Sequence, residues 1–354
     1  MLKNEPSDRL NVAVISPDAT VSEAIAQLDR AGTGALVLCR GDRRLYGVLT
    51  DGDVRRAILR DTPMDSPCGA IASLDPVVAA RDRTASDLLA LMNEFDVNHL
   101  PVVDGTGKVI DLVLRKDLAA EDHYSPTAVI MAGGFGTRML PLTEKTPKSM
   151  LPIGGRPLLE LTIERLRKAG IKRVNITTHY LEKHIMSYFG DGCEFGVDLN
   201  YVSEDRPLGT GGGLRLVKEN GGPLLVINGD IVTEINFQGM VDYHRQLGAV
   251  VTIGARRYEF EVPYGVIDSD GPRVLGLREK PHLNFMINAG IYLLEPSVYR
   301  YIPSGDRFDM TDLIQRLIQV GRHVVTFPIV EYWLDVGRPA DYRKAQQDAE
   351  KVAF

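Results

Sequence analysis

Cysteine and tryptophan are scarce in this sequence, with 3 Cys and 1 Trp among 354 residues. Cys39, Cys68 and Cys193 lie far apart and form no Cys-x-x-Cys pair, which argues against both a disulfide framework and a cysteine zinc site. Buried free thiols in a reducing compartment are the ordinary interpretation of such residues.

Long hydrophobic runs are also missing. Nowhere do 18 apolar residues follow one another, and the first segment, MLKNEPSDRL, has no apolar stretch that could serve as a secretory signal. We therefore expect a cytoplasmic protein without membrane association.

Positive charge is not in excess, because the net charge is -6. Acidic residues outnumber basic ones in residues 1–122, and the two are balanced in the remainder. The basic stripe that nucleic-acid binding requires is absent, so we expect any bound nucleotide to be a small molecule. A chain of 354 residues is long enough for about two domains.

The first third of the chain contains an internal repeat at an offset of 64 residues. TVSE (20–23) aligns with TASD (84–87), and VLTDGD (48–53) aligns with LVLRKD (112–117). In each copy the Thr and the acid three residues later predict a capping box that begins a helix. Two strands and a second helix follow, so residues 1–122 are predicted to hold two β-α-β-β-α modules, at about 5–60 and 69–120.

These modules resemble a tandem pair of CBS (cystathionine-β-synthase-type) domains, on the segments GVLTDGDVRRAIL (47–59) and HLPVVDGTGKVIDLVLRKDL (99–118). In that family a Ser/Thr-x-x-Asp element binds adenosine nucleotides, with the carboxylate accepting from the ribose hydroxyls. Thr50 and Asp53 complete the element, whereas the second copy has Leu114 and keeps only Asp117. The resemblance implies one regulatory adenylate site at Thr50, Asp53 and Asp117. Helix capping alone, or an oligomerisation module without a ligand, is the alternative.

A glycine loop follows the polar linker EDHYSP (121–126) and the predicted strand TAVIMA (127–132). The loop, GGFGTR (133–138), offers backbone N–H groups that could surround a phosphate and ends on Arg138, which could make a charge-assisted contact. By itself this loop is a weak signal, because it matches neither a Walker loop nor the dinucleotide-binding GxGxxG.

The next residues, MLPLTEKTPKSMLPI (139–153), make the pattern specific. GGxGTRxxPLTxxxPKxxLPI resembles the signature of the sugar-1-phosphate nucleotidyltransferases, which make nucleotide sugars. The resemblance covers residues 127–348 of a predicted domain at 127–354. Further segments occur in that family's order: EDRPLGTGGG (204–213), LLVINGD (224–230), YGV (264–266), EKP (279–281), NAGIY (288–292) and WLDVG (333–337).

The resemblance implies roles for individual residues. Arg138 and Lys148 are the expected catalytic residues, at the leaving pyrophosphate and the α-phosphate, and Asp230 and Asp335 are the expected Mg²⁺ ligands. Asp335 has the alternative of capping the helix that Pro339 begins. The expected nucleotide-binding residues are Ala132, Gly133, Gly134, Gly136, Thr137, Glu204, Pro207 and Gly209, and those for the sugar phosphate are Gly265, Glu279, Lys280 and Asn288.

The residues also predict an α/β fold independently of any family. Strand-like and helical segments alternate at 127–132, 158–169, 174–178 and 181–189, which favours a Rossmann-like sheet of parallel or mixed strands covered on both faces. Ligands of such sheets bind at the carboxyl ends of the strands, where the 133–138 loop and Asp230 both fall.

The implied reaction is attack of a sugar 1-phosphate oxygen on the α-phosphorus of a nucleoside triphosphate, with release of pyrophosphate. TPK (146–148) and MLPIGGRP (150–157) resemble the mannose-1-phosphate guanylyltransferase branch more than the thymidylyl branch, for which a Ser-Lys-Gln segment is expected. We therefore expect GTP with a mannose- or glucosamine-type 1-phosphate, and a homo-oligomer. The alternatives are uridylyl, cytidylyl or thymidylyl transfer, or a nucleotide-sensing regulator whose transferase domain has decayed.

Overall fold

The structure is a computed structural model that describes residues 8–118, 126–218, 221–305 and 307–350. The chain divides into two compact units, one ending at residue 123 and the other beginning at residue 124. None of the described helices has the length and apolar character needed to cross a bilayer.

The first unit contains two copies of one small sheet. Each copy has three strands, in the orders β1-β2-β3 and β4-β5-β6, with a parallel first pair and an antiparallel second pair. The strands are β1 (Val14–Ile15), β2 (Ala35–Arg40), β3 (Arg44–Thr50), β4 (Ala79–Ala80), β5 (His99–Val103) and β6 (Val109–Leu114). The helices are α1 (Asp8–Ala13), α2 (Val21–Ala31), α3 (Asp51–Leu59), α4 (Ala85–Glu94) and α5 (Arg115–Leu118).

The predicted capping boxes are confirmed. Thr20 with Glu23 begins α2, and Thr84 with Asp87 begins α4; in both, side chain and backbone bond reciprocally. These bonds satisfy amide groups that a helix start leaves without partners, which is why the repeat begins its helices at equivalent positions. The predicted helix beyond Leu118 lies outside the described residues.

The second unit is built on a seven-stranded sheet within the described residues, with the order β11-β10-β7-β12-β17-β14-β18. The four strands β11, β10, β7 and β12 are parallel, whereas β17 is antiparallel to both of its neighbours. The strands are β7 (Thr127–Met131), β8 (Pro152–Ile153), β9 (Arg156–Pro157), β10 (Arg173–Thr178), β11 (Asp198–Ser203), β12 (Leu224–Asn228), β13 (Ile231–Thr233), β14 (Val251–Glu261), β15 (Val266–Asp270), β16 (Arg273–Arg278), β17 (His282–Leu294), β18 (Val324–Pro328) and β19 (Trp333–Asp335). The helices are α6 (Leu158–Lys168), α7 (Glu182–Phe189), α8 (Gly209–Gly212), α9 (Phe237–Gln246), α10 (Met310–Gln319) and α11 (Pro339–Ala349).

The central strands are buried on both faces. Ile130 and Ile227 belong to one apolar cluster, which includes residues of α6, α7 and α9, whereas Val129 and Val226 belong to a second cluster, which includes residues of α10. Successive residues of a strand point to opposite faces, so this alternation explains why the strands are apolar throughout. The α/β class with a mixed, mostly parallel sheet is confirmed.

The cysteines are free, as expected, but they are not all buried. Cys68 is buried, Cys39 is half-buried and Cys193 is exposed. The expectation of burial is wrong for Cys193 because it begins a short 3-10 turn, Cys193–Phe195, at the surface, where its N–H donates to Asp191 Oδ1 at 3.0 Å.

Candidate active site

An ion pair between Lys148 and Asp230 lies at the carboxyl end of the central strands. Lys148 begins a 3-10 turn, and its Nζ donates to Asp230 Oδ2. The Lys148 and Asp230 side chains are 14% and 23% exposed, so the two charges are partly withdrawn from water. Asp230 follows β12, and the N–H of Gly229 donates to the Met131 carbonyl at 2.9 Å, which ties the ends of β12 and β7 together.

Asp335 joins this pair through backbone pairing. It is aligned with Ile231 in the two-stranded sheet of β13 and β19, and the Val336 N–H donates to the Asp230 carbonyl at 2.9 Å. Although Asp335 stays accessible to solvent, partial burial raises the pKa of its carboxyl. The negative charge of Asp230 raises that pKa further, whereas Lys148 and Arg138 act in the opposite direction. Two carboxylates and two cations therefore share one site.

Asp335 does not cap the helix that follows it. α11 begins at Pro339 with Arg338 as its N-cap residue and without a side-chain capping bond. The capping alternative is therefore wrong.

The first glycine loop packs against Lys148. Gly136 has φ +64, and a Cβ on it would lie 3.2 Å from Lys148 Cβ and 3.0 Å from Thr143 Cγ2. The Thr143 hydroxyl donates to the Gly136 carbonyl at 2.8 Å, which fixes the loop. A side chain at 136 would be strained and would displace Lys148, so glycine is required here. Thr137 and Arg138 follow, both exposed, in the 3-10 turn Thr137–Met139, whose last residue is buried.

Glu204 lies between the first glycine loop and a second glycine loop, GTGGG (209–213). It is 6% exposed, and its Oε2 accepts from the Leu208 N–H at 3.0 Å. Its Oε1 lies beside Gly133 and Gly213, at 3.4 Å and 2.9 Å from where their Cβ atoms would be. The buried Glu204 carboxylate therefore lies between Gly133 of the first loop and Gly213 of the second. Pro207 is exposed on the same segment, and Gly134 has open space around it.

Asp309 is a residue of this region that the sequence reasoning missed. Its Oδ1 accepts from the Thr210 N–H at 3.1 Å, and the Thr210 hydroxyl accepts from the Met310 N–H at 3.0 Å. The Phe308 carbonyl accepts from the N–H groups of Gly211 and Gly212 at 2.9 and 2.8 Å. The segment before α10 therefore holds the whole second loop by its backbone.

The same segment explains why residue 209, one of the expected nucleotide-binding positions, is a glycine. Gly209 has φ +79, and a Cβ there would lie 2.5 Å from Asp309 Oδ1 and 2.7 Å from the Phe308 carbonyl oxygen. Glycine is needed because two parts of the protein meet at this point.

His179 is a second missed residue. Its Nδ1 lies 2.6 Å from the Glu204 carbonyl oxygen, and its ring meets Phe135 edge-on with centroids 5.3 Å apart. A carbonyl only accepts hydrogen bonds, so Nδ1 carries the proton. His244, by contrast, has a packing role, because it is buried and its Nδ1 lies 2.7 Å from the Thr252 hydroxyl.

The predicted sugar-phosphate residues fall into two groups. Asn288 lies next to Ala289, whose carbonyl accepts from Trp333 Nε1 at 2.9 Å, so it is close to the strand that carries Asp335. Gly265 packs beside the Glu279 carboxylate, and Lys280 follows at φ +43. No contact that the structure describes joins this second group to the Lys148–Asp230 pair.

In the first unit, the carboxylates of the predicted adenylate site already bond to other residues of the chain. Asp53 Oδ2 accepts from the Thr50 N–H and hydroxyl at 2.8 and 2.7 Å, and its Oδ1 accepts from Arg56 at 2.5 Å. Asp117 pairs with Arg9. Thr50 and Asp53 thus form the capping box of α3, which is the alternative that the sequence left open.

Comparison with known families decides what kind of protein carries this geometry. Residues 127–352 match the model of the nucleotidyl transferase family. The chain belongs to that family. Residues 8–60 and 68–124 match the CBS domain, so the second family resemblance of the sequence is confirmed as well.

Curated relatives of this nucleotidyl transferase differ in the base that their names specify. A UTP–glucose-1-phosphate uridylyltransferase of Synechocystis is 34% identical over 239 residues, 62% of this chain and 62% of the relative. A mannose-1-phosphate guanylyltransferase of Mycobacterium tuberculosis is 34% identical over 228 residues, 62% of this chain and 64% of the relative. The match thus spans less than two thirds of these relatives.

Solved structures agree with the fold of the transferase unit. A putative glucose-1-phosphate thymidylyltransferase from Bacillus anthracis superposes with a TM-score of 0.53 at 24% identity, covering 64% of this chain and 96% of the other. HddC from Yersinia pseudotuberculosis superposes with a TM-score of 0.50 at 27% identity, covering 63% and 99%.

Proposed function

We propose that the protein transfers a nucleoside monophosphate from a nucleoside triphosphate to a sugar 1-phosphate and releases pyrophosphate. The observation that carries the proposal is the convergence of Lys148, Asp230, Asp335 and the Gly136 loop at the carboxyl ends of the central strands. Phosphoryl-type transfers are catalysed by positioning and by charge stabilisation, so a site made of cations, carboxylates and loop amides suits this chemistry without a nucleophilic side chain.

We assign each residue of the site a role from its position. The loop at 133–138 holds the triphosphate with its backbone N–H groups, and Arg138 holds the leaving pyrophosphate. Lys148 is fixed behind Gly136 and stabilises the negative charge that develops on the α-phosphate oxygens. Lys280, beside Glu279, holds the phosphate of the attacking sugar.

A divalent cation fits Asp230 and Asp335. Mg²⁺ is bound in proteins by one or two carboxylates and completes its shell with water and substrate phosphates. The raised pKa of Asp335, caused by burial and by Asp230, indicates negative charge that a cation would relieve. Among the described residues, no group of three or more His, Cys, Asp or Glu is placed to hold a metal, so this pair would supply the protein's share. When bound, Mg²⁺ neutralises phosphate charge during transfer.

Guanine is the base that we propose, and Glu204 is the reason. Its carboxylate is buried beside Gly133, and its Oε1 has no hydrogen-bond partner in the part of the chain that the structure describes. An ionised carboxylate only accepts hydrogen bonds, and guanine offers neighbouring N–H donors on its pairing edge. Uracil and thymine flank their single donor with two carbonyl oxygens, which a carboxylate repels. The names of the guanylyltransferase relatives are consistent with this choice.

For the acceptor we propose a hexose or hexosamine 1-phosphate of the mannose or glucosamine type. Gly265, Glu279 and Asn288 offer a backbone amide, a carboxylate and an amide for sugar hydroxyls. The product would be a nucleotide sugar, the donor used in polysaccharide synthesis. A nucleoside triphosphate substrate and three free cysteines support a cytoplasmic location.

We further propose that an adenosine nucleotide binds the first unit at the Thr50–Asp53 element and alters the transferase. Ligand binding there would require Asp53 to exchange its bond with Arg56 for the ribose hydroxyls. The CBS match supports the proposal, and the bond from Arg56 to Asp53 is the contact that the ligand would have to displace.

The deciding experiment measures pyrophosphate release for five nucleoside triphosphates, each combined with several sugar 1-phosphates, at saturating Mg²⁺. We expect the highest kcat/KM with GTP and a hexose or hexosamine 1-phosphate. Inertness of every combination would refute the transferase, whereas preference for UTP, CTP or dTTP would refute only the base.

A further inference from the structure

The transferase unit contains a small apolar core that is separate from the two apolar clusters of the central sheet. Its buried members are Met139, Leu151, Ile153, Leu158, Leu161, Val232, Val336 and Ala345. They come from the 133–153 signature, from α6, from β13, from the residue after β19 and from α11. This small core therefore joins the segments that carry the proposed site.

Each of the proposed catalytic residues and metal ligands has a close chain neighbour in the small core. The four pairs are Arg138 with Met139, Lys148 with Leu151, Asp230 with Val232, and Asp335 with Val336. At most three positions separate the two members of a pair. Because protein interiors are close-packed and transmit strain, the packing of the small core influences where the four charges lie relative to one another.

Helix α11 packs on the small core although it carries none of these charges. Ala345 is fully buried, and Tyr342 and Ala349 pack against the core. These residues are spaced by three and four positions, so they lie on one face of the helix. α11 is therefore anchored to the same core as the segments of the proposed site.

A polar contact of α11 adds a directional restraint to this packing. Gln346 Nε2 donates to the Pro152 carbonyl at 2.7 Å, and Gln346 Oε1 accepts from the Gly154 N–H at 3.1 Å. The Tyr342 hydroxyl donates to the same carbonyl at 2.8 Å. Both ends of the Gln346 amide are thus bonded to the turn between β8 and β9, which lies four to six residues after Lys148.

The same helix also contacts the strand pair that holds the two aspartates. The Tyr332 hydroxyl, just before β19, donates to Asp348 Oδ2 of α11 at 2.8 Å. The Tyr332 carbonyl accepts from the hydroxyl of Thr233, the last residue of β13, at 3.0 Å. One helix therefore bonds both to the segment of Lys148 and to the β13–β19 pair.

We propose that Gln346 is a positioning residue of the transferase. It holds the 152–154 turn against α11 and so fixes Lys148 where it meets the two aspartates. Two bonds from one amide group restrain both the position and the orientation of the turn. A displacement of about 1 Å caused by a distant residue can lower turnover about 100-fold, so a contact outside the site can determine the rate. The inference rests on the proposed function, because it takes the role of Lys148 from there.

The test compares Gln346→Met with Gln347→Met in the full chain. Methionine is close to glutamine in length and in helix propensity, so Gln346→Met removes both bonds with little change in packing. Gln347 is the adjacent, exposed glutamine of α11 and provides the matched control. Circular dichroism checks that each variant is folded, and kcat and KM are measured well below the unfolding temperature. If Gln346→Met does not fold, Gln346→Glu, which keeps the acceptor of the Gly154 N–H, replaces it under the same criteria.

We expect Gln346→Met to lower kcat by about 10- to 100-fold, because a displaced Lys148 stabilises the transition state less. KM for both substrates should stay within about 3-fold of the wild type, since the lost interaction is one made in the transition state. Gln347→Met should keep the wild-type kcat. A residue that acted on stability alone would leave kcat of the folded enzyme unchanged.

A double variant separates an action through Lys148 from any other effect. In the Lys148→Ala background, Gln346→Met should lower kcat by less than about 2-fold, because the group that Gln346 positions is gone. The full loss in that background, or equal kcat values in Gln346→Met and Gln347→Met, would overturn this inference alone. A wild type that is inert toward every substrate pair would overturn the proposed function and this inference with it.

Discussion

Lys148 and Asp230 are 82 residues apart in the chain, yet the Lys148 ammonium donates directly to the Asp230 carboxylate. The pair joins the two halves of the proposed chemistry, because we propose that Lys148 acts at the α-phosphate and that Asp230 is a metal ligand. The ion pair holds both side chains in one orientation in a partly buried place. A bound nucleotide would interact with Lys148 and a bound cation with Asp230, so substrate binding would break this ion pair.

Removing either charge should therefore lower turnover without unfolding the protein. We expect Lys148→Ala and Asp230→Asn each to reduce kcat by about 100- to 1000-fold at saturating substrates, the usual effect of losing one positioned charge. Lys145→Ala is the matched control, because Lys145 is an exposed lysine of the same loop and should keep normal turnover. Near-normal kcat in either site variant would contradict the assigned roles.

The pKa of Asp335 should respond to its neighbours with opposite signs. In metal-free protein, carboxyl NMR titration should show a pKa above the ordinary 3.8, caused first by burial and then by Asp230. Asp230→Asn should lower this pKa, and Lys148→Ala should raise it further. A raised native pKa means that the folded state binds the proton more tightly than the unfolded state. The resulting stability is present below the unfolded pKa and is lost as the pH rises through the native one. Equal pKa values in all three proteins would show that the residues are not coupled.

Asp309 should act on nucleotide binding through the second glycine loop. Asp309→Ala removes the acceptor of the Thr210 N–H, so we expect KM for the triphosphate to rise about 10-fold with little change in kcat, as for lost ground-state binding. Asp312→Ala is the control, because Asp312 completes the same capping box without touching the loop. Both variants should lose about 1 kcal/mol of stability. Asp309→Asn, which keeps an acceptor, should restore KM. An equal KM in the Asp309→Ala and Asp312→Ala variants would show that Asp309 only caps α10 and does not affect nucleotide binding.

Glu204 should determine the choice of base. Glu204→Gln keeps an acceptor for the Leu208 N–H but replaces the other carboxylate oxygen by a donor. We expect kcat/KM for GTP to fall by about 10- to 100-fold relative to UTP, the scale of one hydrogen-bonded base contact. Asp205→Asn changes the exposed neighbouring carboxylate and should leave the ratio of GTP to UTP unaltered. A constant ratio in Glu204→Gln would place base selection elsewhere.

The sequence predicted those parts of the site that are local in the chain. The 133–153 signature is continuous, and strands that end in polar residues meet at one edge of a parallel sheet, so the meeting of Lys148 with Asp230 follows from the pattern. Thr20, Thr50 and Thr84 were found for the same reason, because a capping box spans only four residues.

Contacts between residues that lie far apart in the chain could not be predicted from the sequence. The 309–312 segment reads only as a helix start, and its contact with Thr210 spans 99 residues. His179 follows the end of β10, where no sequence pattern requires a histidine. Its contact with Glu204 arises only when the chain is folded. Gly209 was expected to bind the nucleotide, but the atoms that require a glycine there belong to Phe308 and Asp309, which lie far along the chain. A pattern thus shows that a constraint exists more readily than it shows what imposes it.

The last prediction concerns Asp53, which the structure holds between Thr50 and Arg56. If an adenosine nucleotide binds there, calorimetry of the wild type with AMP, ADP or ATP should detect heat, and the nucleotide should change transferase activity by about 5- to 150-fold, the usual range of coupling between sites. Asp53→Ala should abolish both effects while basal turnover persists.

The matched control for this variant is Asp87→Ala. Asp53→Ala also removes the cap of α3, which contributes about 1 kcal/mol of stability. Asp87→Ala removes the equivalent cap of α4, which is not part of the proposed site. Asp117→Ala, in the copy that carries Leu114, should have a smaller effect than Asp53→Ala. Heat and response lost in Asp53→Ala but kept in Asp87→Ala would separate ligand binding from capping. Absence of heat with all three adenylates would leave the repeat as a module for association alone.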